Sequence, residues 1–232
     1  MSRAGEAEDR ARELIEKLKA HADPGSLQGM ARFGIRVDNS LGVRIPAVRK
    51  LAKSAGKDHD TAARLWASGI QEARMLAALI DEPEMVTERQ MERWAACFDS
   101  WDLCDQVCAN LFDKLDIAPA KAEEWAGREE EFVKRAGFVL MAVRAVHAKK
   151  SPDREFVKYL SLVEREACDE RNFVKKAVNW ALRQIGKRNA ALMKKAVKSA
   201  RKIEKMESRA ARWIARDALR EFERKGGLQE IS

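Results

Sequence analysis

The chain has 232 residues, 35% of them charged and 46% hydrophobic, a globular balance that excludes a disordered polymer. The length allows one large domain with a sizeable core. Net charge is +8, so an anionic partner fits better than a cationic one. The longest apolar run, Gly137 to Val143, ends at Arg144 and is far too short to span a bilayer. The opening MSRAGEAEDR lacks the apolar stretch of a secretory signal, so the expected location is intracellular and cytoplasmic. The four cysteines, Cys97, Cys104, Cys108 and Cys168, then read as reduced, small core residues. No His lies near the first three and no CxxC pair occurs, so no metal site is expected.

Helical patterns follow one another along the chain. Ala11 to Ala22 is amphipathic, and a polar turn with Pro24 and Gly25 follows. Turn residues in DNSLGVRIPAVRKLAK lead to Pro46 at a first helical position. Asp58 to Ala67 and Gln71 to Ile80 read as the next helices. Thr87 is an N-cap before ERQMERWAACF, with Gln90 placed as in a capping box. Asp99 or Ser100 caps a helix running through Phe112. Pro119 opens a short helix through Trp125, and Glu130 to Ala148 is long. Ser151 caps a helix with Pro152 at N1 that runs through Cys168. Arg171 to Ile185, Asn189 to Lys205 and Ser208 to Arg224 complete the series. Short connections and no strand alternation predict an all-α protein, an α-solenoid of antiparallel helix pairs with a concave basic face. No Pro/Gly-rich linker interrupts it. One domain over 1–232 is expected, with flexible ends at 1–10 and 226–232.

Charge is unevenly spread. Arg171 to Lys225 holds 18 Lys and Arg against 5 Asp and Glu, a net +13, and leaves −5 for the remainder. Such a segment suits a polyanion. Within NFVKKAVNWALRQIGKRN the apolar arc is Val174, Ala177, Val178, Ala181, Leu182 and Ile185. Off that arc, Lys176, Trp180, Arg183 and Lys187 fall at i, i+4, i+7 and i+11. In SRAARWIARDALREFERK the core arc is Ala211, Ile214, Ala215, Ala218 and Phe222. Opposite it, Arg209, Trp213, Arg216 and Arg220 repeat the same spacing. Cations neutralise phosphates and an indole offers a stacking face. A tryptophan at the edge of the core, ringed by solvated cations, would give the same pattern.

FDSWDLCDQVCANLF poses a separate problem. Trp101, Asp105, Cys108 and Phe112 share one helical stripe, and a carboxylate there is costly to bury without a partner or a task. Asp102, in the first turn, is explained by capping or by the helix dipole. Asp105 lies beyond that turn. It either pairs with a buried arginine, Arg135 being a candidate, or does chemistry.

SWDLCD, KRAGFVL and KKAVNWALRQIGKRN, together with the upstream LGVRIPAVRKLAK and EARMLAALI, resemble the AlkD-like DNA alkylation-repair glycosylases with HEAT-like repeats. The resemblance runs from about Gly34 to Arg220. It implies that Asp105 is the catalytic carboxylate, that Trp101 and Trp180 embrace the lesion-bearing nucleotide, and that Arg135 holds a backbone phosphate. It also implies removal of cationic N-alkylated purines of the 3-methyladenine or 7-methylguanine type, with no cofactor. Two departures stand out. Ser100 takes a place that is aromatic in some relatives, and Tyr159 is not the N-terminal tyrosine that grips the lesion; Phe33 is the candidate substitute.

The expected activity is therefore hydrolysis of an N-glycosidic bond in alkylated double-stranded DNA by a monomer, at the nucleoid when DNA is bound. Lys176, Arg183, Lys187, Arg209, Trp213, Arg216 and Arg220 would serve as DNA contacts. A non-catalytic DNA-structure binder on the same fold and a helical-repeat scaffold for acidic proteins are the rivals.

Overall fold

The computed structural model describes residues 3–224; the expected tail at 226–232 lies outside them. Among the described residues there are thirteen α-helices and no strand, and no helix is long and apolar enough to cross a membrane. The chain falls into two compact units, Met1–Leu115 and Asp116–Ser232.

The first unit holds α1 (Arg3–Lys19), α2 (Pro24–Arg32), α3 (Ile45–Ala55), α4 (His59–Ala67), α5 (Gln71–Ile80), α6 (Glu88–Ala95) and α7 (Trp101–Asn110). Residues 3–10, read from sequence as a flexible lead-in, form the first half of α1, with Ala7 buried. The helix α2 replaces the expected polar turn. It buries no residue, so no apolar stripe marks it in the sequence, and Pro24 sits in its first turn. Asp58 caps α4 by accepting from the Thr61 amide at 2.9 Å. Only half of the capping box at α6 forms. Thr87 Oγ1 accepts from the Gln90 amide at 3.2 Å, but Gln90 Nε2 donates to the buried Asp81 at 2.7 Å. The core of this unit is aromatic. Trp66 and Trp94 stack with centroids 4.0 Å apart, and Phe98 and Phe112 close around them.

Two of the quoted sequence stretches meet in this unit. Glu72, in EARMLAALI, is 2% exposed. Its carboxylate accepts from the amides of Leu41 (2.9 Å) and Val43 (3.1 Å) and from Ser40 Oγ (2.7 Å), all at the LGVRIP loop. Gly42 in that loop has φ +74°, and a Cβ there would lie 2.3 Å from Asp23 O, so only glycine fits.

The second unit holds α8 (Ala118–Trp125), α9 (Glu131–His147), α10 (Asp153–Glu166), α11 (Asn172–Gly186), α12 (Ala190–Glu204) and α13 (Arg209–Arg224). The long α9 is central, buried continuously from Val133 to Ala145 and packed against α8 and α11. At Gly137, in KRAGFVL, an added Cβ would lie 2.5 Å from Ala126 N and 2.9 Å from Trp125 C, so glycine lets α8 and α9 approach closely. The start of α10 falls later than expected: Pro152, not Ser151, is its N-cap residue, and the helix ends at Glu166 rather than Cys168. Ser151 Oγ instead accepts from Arg144 Nη2 at 3.3 Å. Arg188 donates to the carbonyls of Ala145, Ala148 and Ser151, satisfying the C-terminal end of α9. Both predicted apolar arcs, on α11 and on α13, are fully buried.

The buried cations of α9 each have partners. Lys134 Nζ lies 2.7 Å from Glu166 and 3.3 Å from Asp169, and Arg144 Nε lies 2.8 Å from Glu155. Burial works to raise the pKa of Glu166 and Asp169. Hydrogen bonds outweigh it, from Lys134 and Arg165 to Glu166 and from Arg171 to Asp169, and hold both below their ordinary values.

Two outcomes are expected. Gly137→Ala should lower stability by about 1–3 kcal/mol or more, whereas Gly29→Ala in α2, with open space around the new methyl, should be neutral or raise it by up to about 1 kcal/mol; urea midpoints separate them. Acid titration tests the Lys134 cluster. Depressed folded pKa values contribute stability that is fully present above the ordinary values of 4.5 for Glu166 and 3.8 for Asp169, and that is lost as pH falls through the folded values. Lys134→Met should lower the neutral-pH urea midpoint and flatten the acid limb. An unchanged acid limb would contradict the assignment.

Candidate functional site

The start of α7 is set by polar contacts. Ser100 is fully buried at the N-cap, but its hydroxyl donates to Asp102 rather than capping a backbone amide. Gln71 Nε2, from the first turn of α5, donates to the other Asp102 oxygen at 2.6 Å. Burial raises the pKa of Asp102, only partly opposed by hydrogen bonds from Ser100, the Leu103 amide and Gln71. Asp102 is therefore committed to holding the helix start, as its first-turn position implied.

Trp101 is half-buried, and its indole Nε1 donates to the carbonyl of Phe33 at 3.0 Å. Phe33 ends α2 and is 75% exposed, the most exposed large hydrophobic residue described. The Trp101 side chain is thus tied to the backbone at the end of α2, 68 residues earlier in the sequence. No pattern in the sequence indicated this contact.

Asp105 lies one turn beyond Trp101 and is half-buried like it. Its charge is among the influences that raise the pKa of Cys108, after burial and the Cys104 thiol. The stripe stops there. The helix ends at Asn110, Leu111 leaves helical geometry at φ −131° and ψ −61°, and Phe112 enters a 3-10 turn with its ring in the aromatic core. The expected helix through Phe112 was two residues too long because a buried apolar residue reads alike in either conformation. Cys104 and Cys108 are buried, Cys97 and Cys168 exposed. Among the described residues no group of three or more His, Cys, Asp or Glu is arranged to hold a metal ion.

In the second unit, Arg135 is 5% exposed and donates from Nη1 to the Phe173 carbonyl at 2.6 Å, which ties α9 to the first turn of α11. Trp180 is half-buried. With the Gln184 amide oriented to satisfy its neighbours, its oxygen accepts from Trp180 Nε1 at 3.0 Å. The α11 stripe is less cationic than its sequence. Arg183 and Lys187 both engage Glu221 of α13, the latter at 2.7 Å, and Arg183 Nε lies 3.7 Å from Asp217. Burial would raise the Glu221 pKa, but these two cations lower it. Spacing along α11 cannot report carboxylates that arrive from another helix. Lys176 is exposed.

On α13 the predicted stripe is solvent-facing. Arg209, Arg216 and Arg220 are exposed and Trp213 is 39% exposed. With α12 they form an open groove of about 680 Å³ that also takes in Arg201, Arg212, Glu204 and Glu223. Sequence reasoning missed Arg201 and Arg212. The latter was readable, since it lies three residues after Arg209 and four before Arg216. The structure therefore places Trp101 and Asp105 one turn apart in the first unit, and in the second a largely ion-paired tryptophan stripe on α11 and an exposed, arginine-rich one on α13.

Comparison with known proteins agrees with this architecture. The chain is 23% identical over 198 residues to "Uncharacterized protein Lin0241" of Listeria innocua, covering 84% of this chain and 86% of that protein. It is 22% identical over 198 residues to "Uncharacterized protein Lmo0209" of Listeria monocytogenes, with the same coverage. A solved structure described as "a new family of proteins related to the HEAT-like repeat DNA glycosylases with affinity for branched DNA structures" superposes with a TM-score of 0.75. It covers 90% of this chain and 94% of its own at 19% identity, a likeness of fold. The HEAT-like helical fold expected from sequence is thus the fold observed. The family model of the DNA alkylation repair enzyme matches residues 14–222, from within α1 to the last turns of α13, and the chain belongs to that family.

Proposed function

We propose that this protein is a DNA glycosylase that removes cationic N-alkylated purines, of the 3-methyladenine or 7-methylguanine type, by hydrolysing the N-glycosidic bond. The observation that carries the reading is the pairing, one turn apart on α7, of a half-buried carboxylate, Asp105, with a half-buried indole, Trp101, whose ring edge is held by the Phe33 carbonyl. Family membership supplies the second support.

The chemistry suits those residues. An alkylated purine is already a cation. It leaves as a neutral base with the electron pair of the C1′–N bond, and positive character passes to the sugar. The Asp105 carboxylate opposes that charge and orients the water that adds to C1′, whose proton then passes to the carboxylate or to solvent. Trp101, fixed at its indole edge by Phe33 O, offers a face to the nucleotide, and Trp180 is proposed as the second aromatic contact. Arg135 is the proposed phosphate contact, with its guanidinium oriented by the Phe173 carbonyl. Lys176 and the exposed α13 arginines are proposed to neutralise backbone phosphates. Arg183 and Lys187 contribute less because Glu221 already engages them. In this reading the protein acts as a monomer inside the cell and requires no cofactor.

A second reading is a DNA-structure binder without base excision. The solved neighbour, described by its affinity for branched DNA, favours it, as does Ser100 in place of an aromatic residue. Single-turnover release of 7-methylguanine from methylated duplex decides between them. Asp105→Asn should slow release about 100-fold while DNA affinity is retained. Unchanged release would remove Asp105 from the chemistry. Tight, salt-sensitive binding by both proteins without release would establish the second reading.

A further inference from the structure

The groove on α12 and α13 contains more than a duplex backbone needs. Five arginines and two glutamates line it, so its charge is strongly positive. Arg201 is partly met by Glu204 at 3.2 Å and Arg220 by Asp217 at 3.5 Å. Arg212 and Arg216 have no carboxylate within 4.0 Å among the described residues, in contrast to the paired cations of α11. Arg209 likewise has none, so the uncompensated charge of the groove runs from Arg209 through Arg212 to Arg216, around Trp213.

Trp213 is the feature that phosphates do not explain. Every residue of the α13 core arc is fully buried, yet this indole stands on the opposite face at 39% exposure. Lys175, from α11, lies over the ring at 5.3 Å from its centroid, and no α11 residue lines the groove. In a duplex the faces of the bases are stacked inside and closed to a side chain. An indole amid cations finds a stacking partner only where a base is unpaired. From Arg209 to Arg220 the helix spans about 16 Å, the length of roughly five phosphates at a stacked-strand spacing of about 3.4 Å.

We propose that the α12–α13 groove binds a single-stranded segment of DNA, with Trp213 stacking on an unpaired base and Arg209, Arg212, Arg216 and Arg220 neutralising its phosphates. The proposal rests on the DNA-binding reading above and names the form of DNA that this face takes. A duplex that carries a single-stranded branch or tail would then be gripped at two chemically different places.

The test is fluorescence anisotropy with a short oligo-dT and with a blunt duplex of equal length at one ionic strength. The proteins are the native chain, Trp213→Leu, Trp213→Phe and the double variant Arg212→Gln/Arg216→Gln. Melting curves serve as a fold control, because all three side chains are exposed. Trp213→Leu should weaken oligo-dT binding about tenfold while changing blunt-duplex affinity by less than about twofold, and Trp213→Phe should recover most of the loss. The arginine pair should weaken oligo-dT and reduce the slope of its salt dependence. With Trp213→Leu, equal losses on both DNAs, or no loss on oligo-dT, would overturn the proposal. So would displacement of oligo-dT by polyglutamate of matched charge as effectively as by unlabelled oligo-dT, which would make the groove a site for acidic proteins. Failure of the native protein to bind either DNA at low salt would sink the DNA-binding reading itself, and this proposal with it.

Discussion

The first unit depends on two adjacent residues at the start of α5. Glu72 is a buried carboxylate, and such a group is tolerated only when its acceptor capacity is filled. Here two backbone amides and a hydroxyl of the preceding loop fill it, each such charge-assisted bond contributing about 1.5–3 kcal/mol. Gln71 then spans to Asp102, and its own amide donates to Asn39 O at 3.0 Å. The loop is thereby fixed to α5, and α5 to the first turn of α7. Trp101 inherits that order, because its indole is bonded to Phe33, at the far end of the same loop. The carboxylate proposed for chemistry is thus placed by residues that touch no substrate in this account.

The second unit shows why a count of cations is a poor guide to where an anion binds. The segment from Arg171 to Lys225 carries a net +13. Part of that charge is internal. Arg188 is spent on helix carbonyls, Arg171 on Asp169, and Arg183 and Lys187 on Glu221. Of the exposed cations that remain, Arg209, Arg212 and Arg216 cluster around Trp213, while Lys194, Lys195, Lys198 and Lys205 are spread along α12 and its end. Exposed ion pairs contribute little to stability, so leaving these arginines unpaired costs the fold little and keeps them available for the phosphates proposed above.

Much of this was legible in the sequence. The 3.6-residue period set both buried arcs of α11 and α13, Thr87 was readable as an N-cap, and the helices expected to begin at Asp58 and Asn189 do start there, capped by those residues. Short quoted stretches carried the family resemblance, and the structure supplies their physical content: Glu72 under the LGVRIP loop and Gly137 where α8 crowds α9. What stayed hidden has a common cause. The helix α2 buries nothing and so leaves no apolar stripe. The end of α7 before Phe112, the Phe33–Trp101 contact and the Glu221 pairs all depend on residues brought together from afar, which local periodicity does not encode.

The central claim is electrostatic: Asp105 opposes positive charge on the sugar. It is tested most directly by affinity for duplexes carrying either a cationic pyrrolidine analogue of the sugar or a neutral tetrahydrofuran at one position, compared between the native protein and Asp105→Asn. The account predicts that the substitution weakens binding of the cationic duplex by roughly 10–100-fold and leaves the neutral one within about twofold. Equal affinities of the two proteins for the cationic duplex, with melting temperatures matched, would contradict it.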